Sequence, residues 1–422
     1  MEIHPFRALR YSPQTIAERG LDNLVAPPYD RVTPKIREEL YARAPENIVH
    51  FDARKEDGGD VYAEANWQLK DWLRTGAMYH ERSAAVWIHQ VVFPGRDGTT
   101  KARRSLVALV RLEPYEGGSI RPHERTLAKA KEDRLNLLRA SHADFGMVFL
   151  LSRAPLDPAL QTRRAPDLTC RDLAGNRHDA WRVEDTSEHV RFQRLLSTAG
   201  SLIADGHHRY ETALKFSLSP EAEKLPTAAF KLCAIVDVAS PGLEAFAIPR
   251  AVSGLPDFSA EAMFGKAQAF FDLTPLGSAE EGRAELEALP RDRSGFLVVT
   301  KNGAGLLTLR EGAPVSWPAE KSAAWRRLDV STLEVAFLRG VLGIEPGQIE
   351  RGEHVSFPKD EDAAVGLARS GGAQMAILLR PTPIDAVQNV VAQGEVLPQK
   401  STLFEPKMIS GLFGVSVEDP IV

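Results

Sequence analysis

Short apolar runs alternate with turn-forming and charged stretches along the whole 422-residue chain. Two runs have helical spacing. From Val61 to Leu73, Tyr62, Ala65, Leu69 and Trp72 recur every three to four residues, and Pro34 opens a second helix reaching Ala42. Other runs are short, β-branched and continuous. AVWIHQVVF (Ala85 to Phe93) and SLVALVRL (Ser105 to Leu112) flank the turn residues Gly95, Asp97 and Gly98, which predicts a hairpin. GMVFLL (Gly146 to Leu151), SLIAD (Ser201 to Asp205) and KLCAIVDVA (Lys231 to Ala239) predict buried strands. A helix from about His208 to Phe216 follows SLIAD directly.

The stretch SPGLEAFAIPRAVSGLPDFS is rich in Pro, Gly and Ser and marks a boundary near residue 250. It separates a first region, 1–250, from a second, 251–422. Beyond it the pattern predicts a helix over Ala260 to Phe271 and a hairpin of GFLVVT (Gly295 to Thr300) with AGLLTL (Ala304 to Leu309) across Asn302–Gly303. A helix near Thr332 to Leu342 and a strand AQMAILL (Ala373 to Leu379) follow. Interspersed helices, hairpins and crossovers imply a mixed α/β (α+β) fold.

Composition narrows the class. The chain is 43% hydrophobic and 26% charged, as in globular enzymes, and it lacks the run of about 18 apolar residues that a membrane helix requires. Cys170 and Cys233 are too few for a disulfide framework or a four-cysteine zinc site, which suits a reducing cytoplasm. A net charge of −5 gives no general attraction to nucleic acid. Residues 101–140, however, hold ten Lys or Arg against five Asp or Glu, a local surplus of five that favours a small anionic ligand.

Three clusters carry candidate chemistry. In IADGHHRYETALKF (Ile203 to Phe216) a strand ends on Asp205, Gly206 permits a tight turn, and His207, His208, Arg209 and Tyr210 open a helix, where free N–H groups and the dipole attract phosphate. In IRPHERTLAKAKEDRLNLLRA (Ile120 to Ala140), Glu124 beside His123 could serve as general base or metal ligand, with Thr126, Asp133 and Arg134 in the same stretch. The same stretch also suits a solvated charged helix. In LPQKSTLFEPKMISGLF (Leu397 to Phe413), Lys400, Ser401, Thr402 and Lys407 could coordinate phosphate or belong to a surface tail. Gln399 replaces the second Gly of a P-loop, so that motif is excluded. The turn VAPPYDRVTP presents Tyr29 and Asp30. No G-x-S-x-G, G-x-G-x-x-G or paired-His metal motif is present, and no metal ligand is assigned.

Taken in order, VAPPYD, HERT…KEDR, ADGHHRYETA and PQKSTLFEPK…SGL resemble the bacterial and archaeal family called domain of unknown function 1015, over Ile3 to Leu412. One departure is Ile248–Ala251, where the family usually has Pro-Thr-His-Arg and this chain has no His. The ADGHHRYETA turn is also similar to that of the ParB/sulfiredoxin-like fold and of its free-serine kinases. This likeness implies a nucleotide-binding core, ATP or ADP with Mg²⁺, and phosphoryl transfer to a small metabolite such as serine, or from phosphoserine. In that picture Glu124, Asp205 and His208 are catalytic, and Gly206, His207, Arg209, Tyr210, His123, Thr126, Asp133, Arg134, Lys400, Ser401, Thr402 and Lys407 bind substrate or phosphate. The 397–412 segment completes the site. A nucleotide-binding sensor without turnover, or a ParB-like DNA-associated protein, remains the alternative. Oligomeric state is open.

Overall fold

The computed structural model describes residues 1–55, 58–124 and 128–421. The chain forms two compact units, one of Met1–Glu244 with the segment from Pro406 on, the other of Ala245–Glu405. It therefore crosses between units twice, whereas composition marks a single boundary.

The first unit is built on a nine-stranded mixed sheet. Its strands are β1 (Ile3–His4), β2 (Val86–Pro94), β3 (Thr100–Arg111), β4 (Ile120–Arg121), β5 (Val148–Ser152), β6 (Leu168–Arg171), β7 (Arg177–Val183), β8 (Ser201–Asp205) and β9 (Phe230–Asp237). Their order is β4-β8-β5-β9-β3-β2-β7-β6, with β1 pairing β3. β2 and β3 form the expected hairpin, with Trp87 opposite Val107. β9 runs parallel to β5, and β8 antiparallel to it. Both faces are covered, which is why β5 and β9 read as continuous apolar runs rather than alternating ones.

Helices follow local chemistry. α1 (Pro34–Arg43) starts where the Thr33 side chain accepts the Ile36 N–H, with Pro34 supplying a first residue that needs no N–H partner. α2 (Val49–Asp52) is a single turn. α3 (Val61–Thr75) is capped by Asp60, which accepts from Tyr62 and Ala63, and stops at Gly76 in the left-handed region. α4 (Ala128–Ser141), α5 (Thr186–Ser197) and α6 (His207–Ser217) complete the set used below. One side of the sheet buries Ile88, Leu106, Leu150 and Ile235 with Phe192 and Leu196 of α5 and Tyr210 and Ala213 of α6. Elsewhere Trp87 packs on Phe413, with ring centroids 5.0 Å apart, and Phe51 on Phe145 at 5.2 Å.

The second unit holds a six-stranded sheet of β10 (Arg250–Val252), β11 (Phe271–Leu276), β12 (Gly295–Thr300), β13 (Gly303–Leu309), β14 (Val355–Ser356) and β15 (Met375–Leu378), in the order β11-β13-β12-β15-β10-β14. The β12–β13 hairpin is present but closes one residue early. Thr300 pairs with Gly303, so Lys301–Asn302 is the turn and Gly303 already lies in the strand. That register places Val299 opposite Ala304, both buried, and the buried face decides it. The helix expected near Thr332 to Leu342 is instead one α-turn followed by a π-helix over Leu333–Arg339. Gly340 makes room for the wide turn, since a Cβ there would sit 2.5 Å from the Ala336 carbonyl. The helix expected over Ala260 to Phe271 ends at Ala267, and Phe271 opens β11.

No helix among the described residues is long and apolar enough to cross a membrane.

Candidate functional site

β8 is buried until its last residue, Asp205, and α6 begins two residues later at His207. Gly206, between them, sits at φ 91°, ψ 28°, a conformation that glycine adopts cheaply. A Cβ there would lie 3.1 Å from the Arg209 guanidinium carbon, so both backbone and space require glycine. Among the described residues no side chain caps this 11-residue helix. The Tyr210 N–H bonds back to the Gly206 carbonyl at 2.9 Å, so the residues His207, His208 and Arg209 form the first turn of the helix.

Asp205 anchors the turn. Its Oδ2 accepts from Arg209 Nη2 at 2.6 Å, and its Oδ1 accepts from Lys407 Nζ. Burial acts to raise its pKa, but the adjacent Lys407 and Arg209 cations outweigh burial and hold the carboxyl well below the usual range. A carboxylate held this way is a weak base. Arg209 also points inward: Nη1 donates to the Met147 carbonyl, and the side chain is buried. Gly146 leaves room for it, because a Cβ there would meet Arg209 Cδ at 3.0 Å. Arg209 is thus occupied within the fold and shapes the turn from beneath.

The imidazoles divide by burial. His207 packs edge-on against His123, with ring centroids 4.7 Å apart. Desolvation, helped by the neighbouring His123, pushes its pKa down to about 3, so it is neutral near pH 7. His123 is buried and donates Nδ1–H to the Ile203 carbonyl at 2.6 Å, which leaves Nε2 facing Glu124 Oε1 at 3.6 Å. The Glu124 side chain is 19% exposed and can meet a ligand. β4 pairs in parallel with β8, and this brings the His123–Glu124 corner beside the turn. His208 is half-buried at the second position of α6.

Other expected residues have different surroundings. Tyr210 faces the core rather than a phosphate: its hydroxyl donates to the Glu113 carbonyl and accepts from the Glu113 N–H, both at 2.9 Å, and its ring stacks on Tyr115. Asp133 and Arg134 sit on α4. Arg134 bonds Asp52 at 3.0 Å and Asp133 at 2.7 Å and lies over the Tyr29 ring at 4.1 Å. Thr126 falls outside the described residues.

Lys400, Ser401 and Thr402 belong to the second unit, whereas Lys407 belongs to the first. There the Lys400 carbonyl accepts from Arg250 at 3.0 Å, and the buried Ser401 hydroxyl donates to the Pro398 carbonyl. The segment 397–412 is thus split between the units, and its Lys407 reaches Asp205.

Sequence reasoning passed over the groups beneath the turn. Buried Lys231 pairs with Asp144, and Asp52 accepts from Ser410 at 2.8 Å. A cavity of about 40 Å³ lies among Tyr29, Asp52, Arg134, Asp144, Arg209 and Lys231. Lys231 carried one signal, a cation directly before the apolar run Leu232–Val236; Asp52 and Asp144 carried none. Among the described residues no group of three or more His, Cys, Asp or Glu is placed to hold a metal ion.

A Gly-led helix that follows a strand of a mixed sheet gives the site a mixed α/β architecture. The chain is a member of the family described as protein of unknown function (DUF1015), whose model matches residues 3–331. No curated protein matches the sequence. Among solved structures, a conserved hypothetical protein from Pyrococcus furiosus is similar at 13% identity and TM-score 0.37, covering 71% of this chain and 93% of its own. A free serine kinase in complex with AMP shows 14% identity and TM-score 0.37, with 70% and 89% covered. C-terminally truncated SbnI from Staphylococcus aureus shows 10% identity and TM-score 0.37, with 72% and 85% covered.

Proposed function

We propose that the first unit is a phosphotransferase that uses ATP or ADP to phosphorylate a small hydroxyl-bearing metabolite, with free serine as acceptor. With water as acceptor, the same site hydrolyses phosphoserine. The observation that carries this reading is the Gly206 turn, an uncapped helix start with a neutral imidazole and a carboxylate beside it. The amides of His207, His208 and Arg209 hold phosphate oxygens, and His208 flanks them. Glu124, backed by His123, takes the acceptor's hydroxyl proton as that oxygen bonds to phosphorus and the bond to the nucleotide's leaving oxygen breaks. Lys407 and Arg209 fix Asp205, and through it the turn; they are positioning residues.

ATP or ADP and Mg²⁺ are taken from the resemblance of the central turn. The carboxylates present suit a Mg²⁺ held mostly by phosphates and water, with Glu124 as a protein contact, and the ion would neutralise charge on the phosphates. A sensor that binds nucleotide without turnover is favoured by one feature, the saturation of Asp205 by two cations.

Phosphorus NMR separates these readings. Protein with Mg²⁺, serine and ATP or ADP should yield phosphoserine, and Glu124→Gln should bind nucleotide normally but turn over at least about 100-fold more slowly. Saturable nucleotide binding with no new phosphorus signal, from serine or from phosphoserine alone, would replace the enzyme with the sensor.

A further inference from the structure

The first unit carries a second concavity, half-open and about 210 Å³ in volume, between the Tyr29 turn and the helices α1, α2, α3 and α4. Its polar lining is Tyr29, Arg37, Asp52, Arg54, Tyr62 and the Asp133–Arg134 pair; Phe51, Val61 and Leu137 supply an apolar side. Three guanidinium groups and two carboxylates lie in this lining.

The three cations are not equivalent. Arg134 is held by Asp52 and Asp133, and Arg54 by Glu64 at 2.7 Å. The Nε of Arg37 is buried and has no hydrogen-bond partner among the described residues. A buried N–H of a charged group is costly when left unmade, and Arg37 is the guanidinium of this lining that no carboxylate among the described residues holds. Asp133 shows the opposite character. It accepts from Tyr62 Oη at 3.2 Å and from Arg134, yet its side chain is 44% exposed and keeps acceptor capacity toward the cavity.

One wall thus lacks an anion and another can take a cation, across a space of small-metabolite size. From this we infer that the concavity binds a small α-amino acid, its carboxylate on Arg37 and its ammonium on Asp133. Tyr29, Asp52 and Arg134 line both this concavity and the smaller cavity that touches Arg209. The bound amino acid therefore sits one layer of side chains from the base of the Gly206 turn. Set apart from the turn by that layer, the amino acid bound here is not the phosphoryl acceptor of the function proposed above, and its binding does not rest on that function.

The test is calorimetric titration of the full chain with L-serine and with L-serine methyl ester, which lacks the carboxylate charge, alongside a separate ADP titration. Wild type should bind serine in preference to the ester. Arg37→Met and Asp133→Asn should each weaken serine by about 10- to 100-fold, the scale of a lost charged hydrogen bond, while ADP affinity and the circular-dichroism melt stay unchanged. Arg37→Lys should recover part of the loss. Equal binding of serine and ester, wild-type serine affinity in both variants, or no binding of serine would overturn the subsite. Serine binding that needs Arg37, with no phosphoryl transfer in the NMR experiment, would keep the subsite and remove the kinase.

Discussion

Both units bury arginine–aspartate pairs, and the pairs are finished to different degrees. In the second unit Arg380 is 4% exposed at its side chain and makes five hydrogen bonds: two to Asp329 and one each to the carbonyls of Leu289, Pro290 and Arg293. A guanidinium has five N–H donors, so its capacity is filled. Burial still raises the Asp329 pKa, with Arg380 opposing it. In the first unit Arg209 and Asp205 underlie an uncapped helix start, and Arg37 keeps a buried donor without a partner among the described residues. Buried charge by itself therefore marks nothing about function; hydrogen-bonding capacity left over beside a cavity does.

The largest expected effect lies in the filled pair. Arg380→Met strands Asp329 in the interior and should cost about 3–5 kcal/mol of stability, as broken buried pairs do. Arg380→Met with Asp329→Leu should recover most of that, because no uncompensated charge remains. Chemical denaturation of both variants checks this, and an equal loss in the double variant would break the comparison.

Next comes the pH dependence of the open site. His207 is buried neutral with its pKa depressed from 6.5 to about 3. Between those values the unfolded chain binds a proton that the folded one refuses, so stability falls as pH drops below 6.5. At about 1.4 kcal/mol per pH unit, this residue alone should cost ~2 kcal/mol by pH 5. His207→Gln should flatten that limb of the stability–pH curve; an unchanged slope would mean that the imidazole is already charged.

The smallest stability change and the sharpest functional one meet at Gly206. Gly206→Ala should cost about 1 kcal/mol for the left-handed backbone, plus some displacement of Arg209. It should raise the nucleotide Kd by at least about tenfold, since the turn that aims the amides is disturbed. Wild-type affinity in a folded variant would move phosphate binding away from the turn.

These contrasts also explain what a linear sequence could show. The strands that form both sheet centres, β5, β8, β9 and β12, were legible as apolar runs, and the Gly206 turn as a strand end followed by an amphipathic helix. β7 was not, because RHDAWRV looks polar. Its His178 and Asp179 are nonetheless buried, the first bonded to His89 at 3.0 Å and the second to Thr169 at 2.9 Å, both on neighbouring strands. The inward course of Arg209 was hidden for the same reason. Its partners include Met147, and the pair's second cation is Lys407; neither is near it in the chain. Local pattern carries elements and turns, whereas the direction of a charged side chain is set by residues that only the fold brings together.

The central claim is that phosphate is held by the amides at the head of α6. It is tested most directly by amide TROSY spectra of the full chain, ¹⁵N-labelled at His and Arg and titrated with ADP. The account predicts that the His207, His208 and Arg209 resonances move furthest and saturate together. Saturable shifts elsewhere with these three unmoved, or no shift at any concentration reached, would contradict it.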